Sequence, residues 1–197
     1  MGDPVVPISR LRAACRLMSY AALTLPLMPV QALLLAAGSR RAGRLARWYH
    51  RRCLTLLGIE LRVRGAPPAE APALFVANHI SYLDITALSA IVPLSFVAKR
   101  EVASWPFFGW LARLQSTVFV GRERHRVDGE RDSVAAALAA GRSLVLFAEG
   151  TSYDGSRIKP FKSSLLAAAE FAPDGRPLAV QPVTIAYTRL DATPIGR

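Results

Sequence analysis

Between Arg16 and Arg40 the chain runs for 23 residues without a charged side chain. About twenty apolar residues in a helix suffice to cross the hydrocarbon core of a bilayer. This stretch is long enough and carries Leu17, Leu23, Leu25, Leu27, Met28, Val30, Leu33, Leu34 and Leu35. Pro26, Pro29 and Gln31 interrupt it, so a straight spanning helix and a kinked or re-entrant one are both permitted. The apolar core of a cleaved leader is shorter, about 7–15 residues. Arg40, Arg41, Arg44 and Arg47 follow at once, which disfavours export of what comes next. The expectation is a membrane-associated helix.

Charge enters the argument through its distribution. The formal net charge is +11; residues 1–64 hold eleven Arg against Asp3 and Glu60, while residues 65–197 hold fourteen basic and twelve acidic residues. Arg41, Arg44, Arg47 and Arg51 recur at helical spacing among Leu45, Trp48, Tyr49 and Leu54. That pattern suits an amphipathic helix at a bilayer interface; the plain alternative is an amphipathic helix packed on its own domain. A positive cluster beside a greasy helix points to anionic lipid on the cytoplasmic face of a membrane. Basic stretches also attract nucleic acid, but most of the excess charge adjoins the greasy helix, so no nucleic-acid partner is expected. Cys15 and Cys53 give no disulfide framework and read as small apolar fillers. No metal-binding or nucleotide-loop spacing is present, and no metal is expected.

Gly65-Ala66-Pro67-Pro68-Ala69-Glu70-Ala71-Pro72 reads as a linker, dividing an anchoring segment, residues 1–60, from a domain over residues 61–197. Strands are expected at Leu61–Arg64, Ala73–Ala77, Ser95–Ala98, Thr117–Val120, Ser143–Phe147 and Ala179–Tyr187. Helices are expected at Ser81–Ile91, Pro106–Leu114, Asp128–Ala140 and Ser163–Phe171. Alternating strands and helices imply an α/β fold, with a mixed, largely parallel sheet flanked by helices. The chain stops at Arg197 soon after an expected central strand, and further native sequence is expected beyond it.

Two boxes follow two of these strands. The first is Asn78-His79-Ile80-Ser81-Tyr82-Leu83-Asp84 and the second Phe147-Ala148-Glu149-Gly150-Thr151. Residues five apart on a continuous helix point about 140° away from each other, so His79 and Asp84 meet only across a turn. Ser81-x-x-Asp84 fits a capping box, with Ser81 as N-cap and His79 in the preceding loop. A carboxylate holding one ring nitrogen frees the other to take a proton near neutral pH. The bland readings are a capping carboxylate and a loop histidine bonded to backbone. Gly150-Thr151-Ser152-Tyr153-Asp154-Gly155 misses the spacing of a nucleophile elbow, so no covalent intermediate on the protein is expected.

An H-x4-D box with a downstream F-x-E-G-T box resembles the glycerolipid acyltransferases, the family that includes 1-acyl-sn-glycerol-3-phosphate acyltransferase. The resemblance spans roughly residues 40–188 and includes Lys99-Arg100-Glu101 and Trp105-Pro106-Phe107-Phe108-Gly109-Trp110. It implies His79 as general base and Asp84 as its orienting partner. It also implies that Arg122, Glu149, Gly150 and Thr151 hold the acceptor. The implied activity is a membrane acyltransferase that moves a fatty acyl group from acyl-CoA or acyl carrier protein to a lysolipid hydroxyl. Phosphatidate synthesis is the first expectation. The implied location is the cytoplasmic face of a bacterial inner membrane, with membrane lipid and the acyl donor as partners and no further cofactor. Two departures stand out: Gly121 where the family often has Asp, and Ser152 where the box often continues with Arg. The stretch Phe147–Gly155, with Phe161-Lys162-Ser163-Ser164 and Val180–Tyr187, looks like a branch that includes lyso-ornithine-lipid acyltransferases. Their acceptor presents an amine and a carboxylate instead of a phosphate. The alternative of another class is a non-enzymatic basic membrane-binding protein.

Overall fold

The chain, as a computed structural model, is described over residues 9–66, 72–121, 127–155, 157–161, 178–190, 193 and 194. Ser9 accepts the Arg12 N–H at 3.2 Å and opens helix α1, Arg10–Ala36, the role its short hydroxyl suits. Pro26 and Pro29 lie inside α1 and do not end it, although each removes an intrahelical hydrogen bond. Helix α2, Arg41–Leu57, returns beside α1 and stops at Gly58 in the left-handed region, where the missing Cβ removes the strain. Thr24 Oγ1 and Tyr49 Oη, 2.9 Å apart, join the two helices. Burial pushes the Tyr49 phenol above its ordinary range.

Strands β1 (Ala73–Ala77), β2 (Ser95–Lys99), β3 (Val118–Val120), β4 (Leu144–Phe147) and β5 (Ala179–Val183) form one sheet. Its order is β3-β2-β4-β1-β5, and every neighbouring pair is parallel. Helix α3 (Leu83–Ile91) lies between β1 and β2 in the chain. A 3-10 helix (Arg100–Ser104) and α4 (Phe108–Leu114) lead to β3, and α5 (Val127–Ala139) precedes β4. Side chains alternate across the sheet, as the period of two requires. Ala73, Phe75, Ala77, Phe96 and Val145 pack with Leu88 of α3 on one face. Leu74, Val118, Leu144 and Leu146 pack with Val134, Ala137 and Leu138 of α5 on the other. Both faces are covered, the usual condition of a parallel sheet. The short pair β6 (Arg189–Leu190) and β7 (Thr193–Pro194) is antiparallel.

The helical hairpin sits on this domain. Arg51 Nε donates to Ala90 O at 2.9 Å and Arg47 Nε reaches the same oxygen at 3.5 Å. Ala90 lies in the last turn of α3, where carbonyls lack helical partners and a cation is favoured. Two of the arginines expected to face lipid are therefore turned toward protein. Further contact comes from His50 Nε2 on Gln115 Oε1 at 3.0 Å. Gln115 Nε2 in turn donates to Leu94 O and Ser89 Oγ. Cys53 is buried as expected, whereas Cys15 is exposed on α1.

Among the described residues the expected elements form with ends shifted by at most two residues, apart from Leu61–Arg64 and the end of β5. Leu61–Arg64 forms no strand. Leu61 and Val63 are exposed and Arg62 pairs locally with Glu60 at 2.8 Å, so the alternation has no apolar surface to meet. α4 starts at Phe108 rather than Pro106 because Phe107 adopts φ +60°. β5 stops at Val183, four residues short of Tyr187. The expected helix Ser163–Phe171 lies outside the described residues.

Candidate active site

β1 and β4 are adjacent in the middle of the sheet, with Ala77 opposite Phe147. The two boxes therefore leave the sheet side by side, beyond the carboxyl ends of parallel strands, where such sheets build sites. Asp84, in the first turn of α3, is fully buried. Its Oδ2 accepts from His79 Nδ1 at 2.8 Å, Ile80 N–H at 2.7 Å and Ser81 N–H at 3.0 Å. Its Oδ1 accepts from Tyr187 Oη at 2.7 Å. Burial alone would raise this carboxyl. The bonds from His79, Ser81 N–H, Tyr187 and Ile80 N–H outweigh it and hold the group below its ordinary value. The same burial, with the Asp84 charge, pushes the Tyr187 phenol up. Ser81 was expected as N-cap; the helix begins one residue later, with Tyr82 in that place. Ser81 Oγ accepts from Leu83 N–H at 3.3 Å, while Asp84 reaches back to Ser81 N–H. The carboxylate half of the capping box is thus formed.

A carboxylate only accepts, so the proton between Asp84 and His79 sits on Nδ1. The Nε2 lone pair is left, with no partner among the described residues. The imidazole side chain is 14% exposed, enough for a substrate atom to reach it. It lies flat on Phe147, centroids 3.9 Å apart and planes 14° apart, with Phe96 stacked behind Phe147 at 6.0 Å. The ring is therefore fixed at one edge by charge and on one face by an apolar wall. That arrangement can accept a proton from a hydroxyl docked at Nε2.

Glu149, 3% exposed, binds the two loops together. Its Oε1 accepts the His79 N–H at 2.9 Å and its Oε2 the Lys159 N–H at 3.0 Å. Tyr153 N–H donates to His79 O at 3.0 Å. Gly150 takes φ +68° at the turn, and Thr151 is exposed beside it. The structure therefore brings His79, Asp84, Glu149, Gly150 and Thr151 to one corner. Arg122, two positions past β3, lies outside the described residues.

Residues 59–186 match the Acyltransferase family. The chain belongs to the Acyltransferase family. Lyso-ornithine lipid O-acyltransferase of Rhizobium meliloti (strain 1021) is 42% identical over 194 residues, which cover 96% of this chain and 66% of that protein. 1-acyl-sn-glycerol-3-phosphate acyltransferase of Neisseria gonorrhoeae is 39% identical over 119 residues, 59% of this chain and 46% of that protein. The chain thus spans about two thirds of the first relative's length and about half of the second's. The crystal structure of the 1-acyl-sn-glycerophosphate (LPA) acyltransferase PlsC from Thermotoga maritima shares the fold, with TM-score 0.61. It covers 90% of this chain and 84% of that one at 19% identity.

Within this corner, several contributing residues escape a reading of the sequence. Tyr187 reaches Asp84 across 103 positions, and nothing local marks it beyond its place at the end of an apolar run. Phe147 is the first letter of the second box, and its role as a floor under the imidazole emerges only from the β1–β4 register. Asn78 is legible as a polar residue at a strand end, yet its partner, Ile185, is 107 positions away.

Proposed function

We propose that this chain transfers a fatty acyl group from an acyl thioester, carried by coenzyme A or acyl carrier protein, to a lysolipid hydroxyl at a membrane surface. The observation that carries the reading is the 2.8 Å bond between Asp84 and His79 Nδ1, which leaves Nε2 as the base. The hydroxyl oxygen attacks the thioester carbonyl carbon as its proton passes to Nε2. The carbon–sulfur bond then breaks, the imidazolium gives its proton to the departing thiolate, and an ester and a free thiol remain. Asp84 steadies the imidazolium in between. No acyl-enzyme forms, so acyl donor alone leaves the protein unlabelled. Arg122, Glu149, Gly150 and Thr151 make up the acceptor side, Glu149 through the two loops it fastens.

Lyso-ornithine lipid is the favoured acceptor. Ser152 stands where a phosphate-reading Arg often follows the second box, and the relative 42% identical carries that acceptor in its name. Lysophosphatidate is the second reading, supported by the relative 39% identical. Membrane placement rests on α1, which is long and apolar enough to cross a bilayer and leaves Leu11, Leu17, Met18 and Leu33 about 70% exposed. The catalytic domain then faces the cytoplasm of a bacterial inner membrane, on the side of the Arg-rich turn.

The test is purified full chain with labelled acyl donor and a panel of lyso-ornithine lipid, lysophosphatidate and other lysophospholipids, read by chromatography. His79→Ala keeps its circular dichroism spectrum and loses about 10²–10⁴-fold in turnover; near-wild-type turnover removes the base assignment. Lipid binding with no acylated product from any donor assigns the chain instead to non-enzymatic membrane binding.

A further inference from the structure

We propose that Arg157 and Lys159, gathered over the ring of Tyr153, bind the anionic oxygens of the acceptor's head group. The proposal rests on the lysolipid reading above and specifies which residues recognise the acceptor.

The segment that carries these cations is laced to the catalytic loop through backbone. Glu149 takes the His79 N–H on one oxygen and the Lys159 N–H on the other. Tyr153 N–H bonds to His79 O. Gly155, at φ +78°, lies against Ile80, and an added Cβ there would sit 3.2 Å from Ile80 Cδ1. The side chains of Tyr153, Arg157 and Lys159 therefore ride on a frame fixed relative to the imidazole.

On that frame, two like charges are collected at one ring. Lys159 Nζ is 4.2 Å from the Tyr153 centroid and the Arg157 guanidinium carbon 5.5 Å. Arg157 also donates to Tyr153 Oη at 3.4 Å. Among the described residues the ion pairs are Arg62–Glu60 and His79–Asp84, so neither cation faces a carboxylate there. Glu149, close by, uses the Lys159 backbone N–H and not its ammonium. Cations over an aromatic face gain a modest attraction, and crowding two of them offsets part of it. An oxyanion between them removes the repulsion and takes charge-assisted bonds from a planar fork and a point charge. Ser152, exposed in the same turn, supplies a hydroxyl and no charge. The ligand class is therefore a carboxylate or phosphate on a lipid head group.

The experiment is steady-state kinetics on full-length Arg157→Gln, Lys159→Gln and the double variant, with lyso-ornithine lipid, its carboxamide analogue and lysophosphatidate as acceptors. The double variant should raise KM for the charged acceptors about tenfold, with kcat within about threefold and donor KM unchanged. The carboxamide should show no such rise. Arg157→Lys should recover part of the loss. An unchanged acceptor KM, an equal rise for the carboxamide, or a rise in donor KM overturns the proposal. A phosphate-only effect assigns the pair to lysophosphatidate, and a carboxylate-only effect to the ornithine head. Binding of Nα-acetylornithine and glycerol 3-phosphate to the His79→Ala protein, followed by calorimetry, gives a readout without turnover. Binding lost in the double variant while the parent chain acylates nothing keeps the anion site and fells the transferase reading. Binding indifferent to both substitutions fells the site alone.

Discussion

Four hydrogen-bond donors converge on the two oxygens of Asp84. One belongs to the imidazole, two to the backbone turn that carries it, and one to Tyr187. The side chain thus sets the ring's tautomer and the shape of its loop together. Asp84→Asn presents an amide that can donate as well as accept, so the wrong tautomer becomes available, and kcat should fall by on the order of 10³–10⁴. Stability should follow pH in a defined direction. The folded carboxyl titrates below its ordinary value, so its contribution is complete above the unfolded value of about 3.9. It is lost as pH falls through the lower folded value. Chemical unfolding from neutral pH down to pH 2 should show native stability declining below about pH 4 and a flatter, lower curve for Asp84→Asn. Superimposable acid limbs would disprove this account. The pairing of His79 with Asp84 was legible because five positions across a turn are local chemistry. Tyr187 and Phe147 were not, because their parts depend on strand order.

At the scale of elements, apolar runs marked β1 to β4 closely, because buried parallel strands are continuous in hydrophobicity and end at polar or turn residues. β5 was overextended for a physical reason. Beyond Val183 the chain loses its strand partner and gains a side chain instead: Asn78 Nδ2 donates to Ile185 O at 2.9 Å, and Asn78 Oδ1 accepts Ile185 N–H at 2.8 Å. One amide continues the ladder after β1 has turned away. Asn78→Ala strips both partners from Ile185, with a loss of about 2 kcal/mol and a drop in Tm of roughly 4–8 °C. Thermal unfolding in detergent measures it, and a Tm within a degree of the native chain would show that water satisfies Ile185 equally well. Leu61–Arg64 failed for the opposite reason. Its alternation is genuine, but a strand needs an edge to join, and the sequence of the segment contains no information about edges elsewhere.

For the whole molecule, the proposed lipid acceptor requires that the site lie close to a membrane. Tyr82, Trp105, Phe107, Phe108 and Trp110 are all more than a third exposed. Tyr82 contacts Trp105 and Phe108 ring to ring, and Phe107 contacts Phe108. Phe107 keeps its place at φ +60°, a conformation that costs a bulky residue about 1–3 kcal/mol. The patch adjoins α1 through Gln31 Nε2, which bonds Leu114 O at the end of α4 at 3.1 Å, and it starts inside the first box at Tyr82. Aromatic rings of this kind favour the headgroup layer. With Trp48 and Trp105 changed to Phe, Trp110 fluorescence should be quenched by lipids brominated near the glycerol in reconstituted vesicles; emission indifferent to bromine would place the patch in water.

Tyr187 closes the ring of bonds around Asp84 from 103 positions downstream. During synthesis the histidine, the carboxylate and the glutamate clamp all leave the ribosome before it does. A nascent chain can therefore assemble every component of the base except the final fastening. That fastening comes from the coil past β5, so a product terminated before Tyr187 is left holding an unfinished tool.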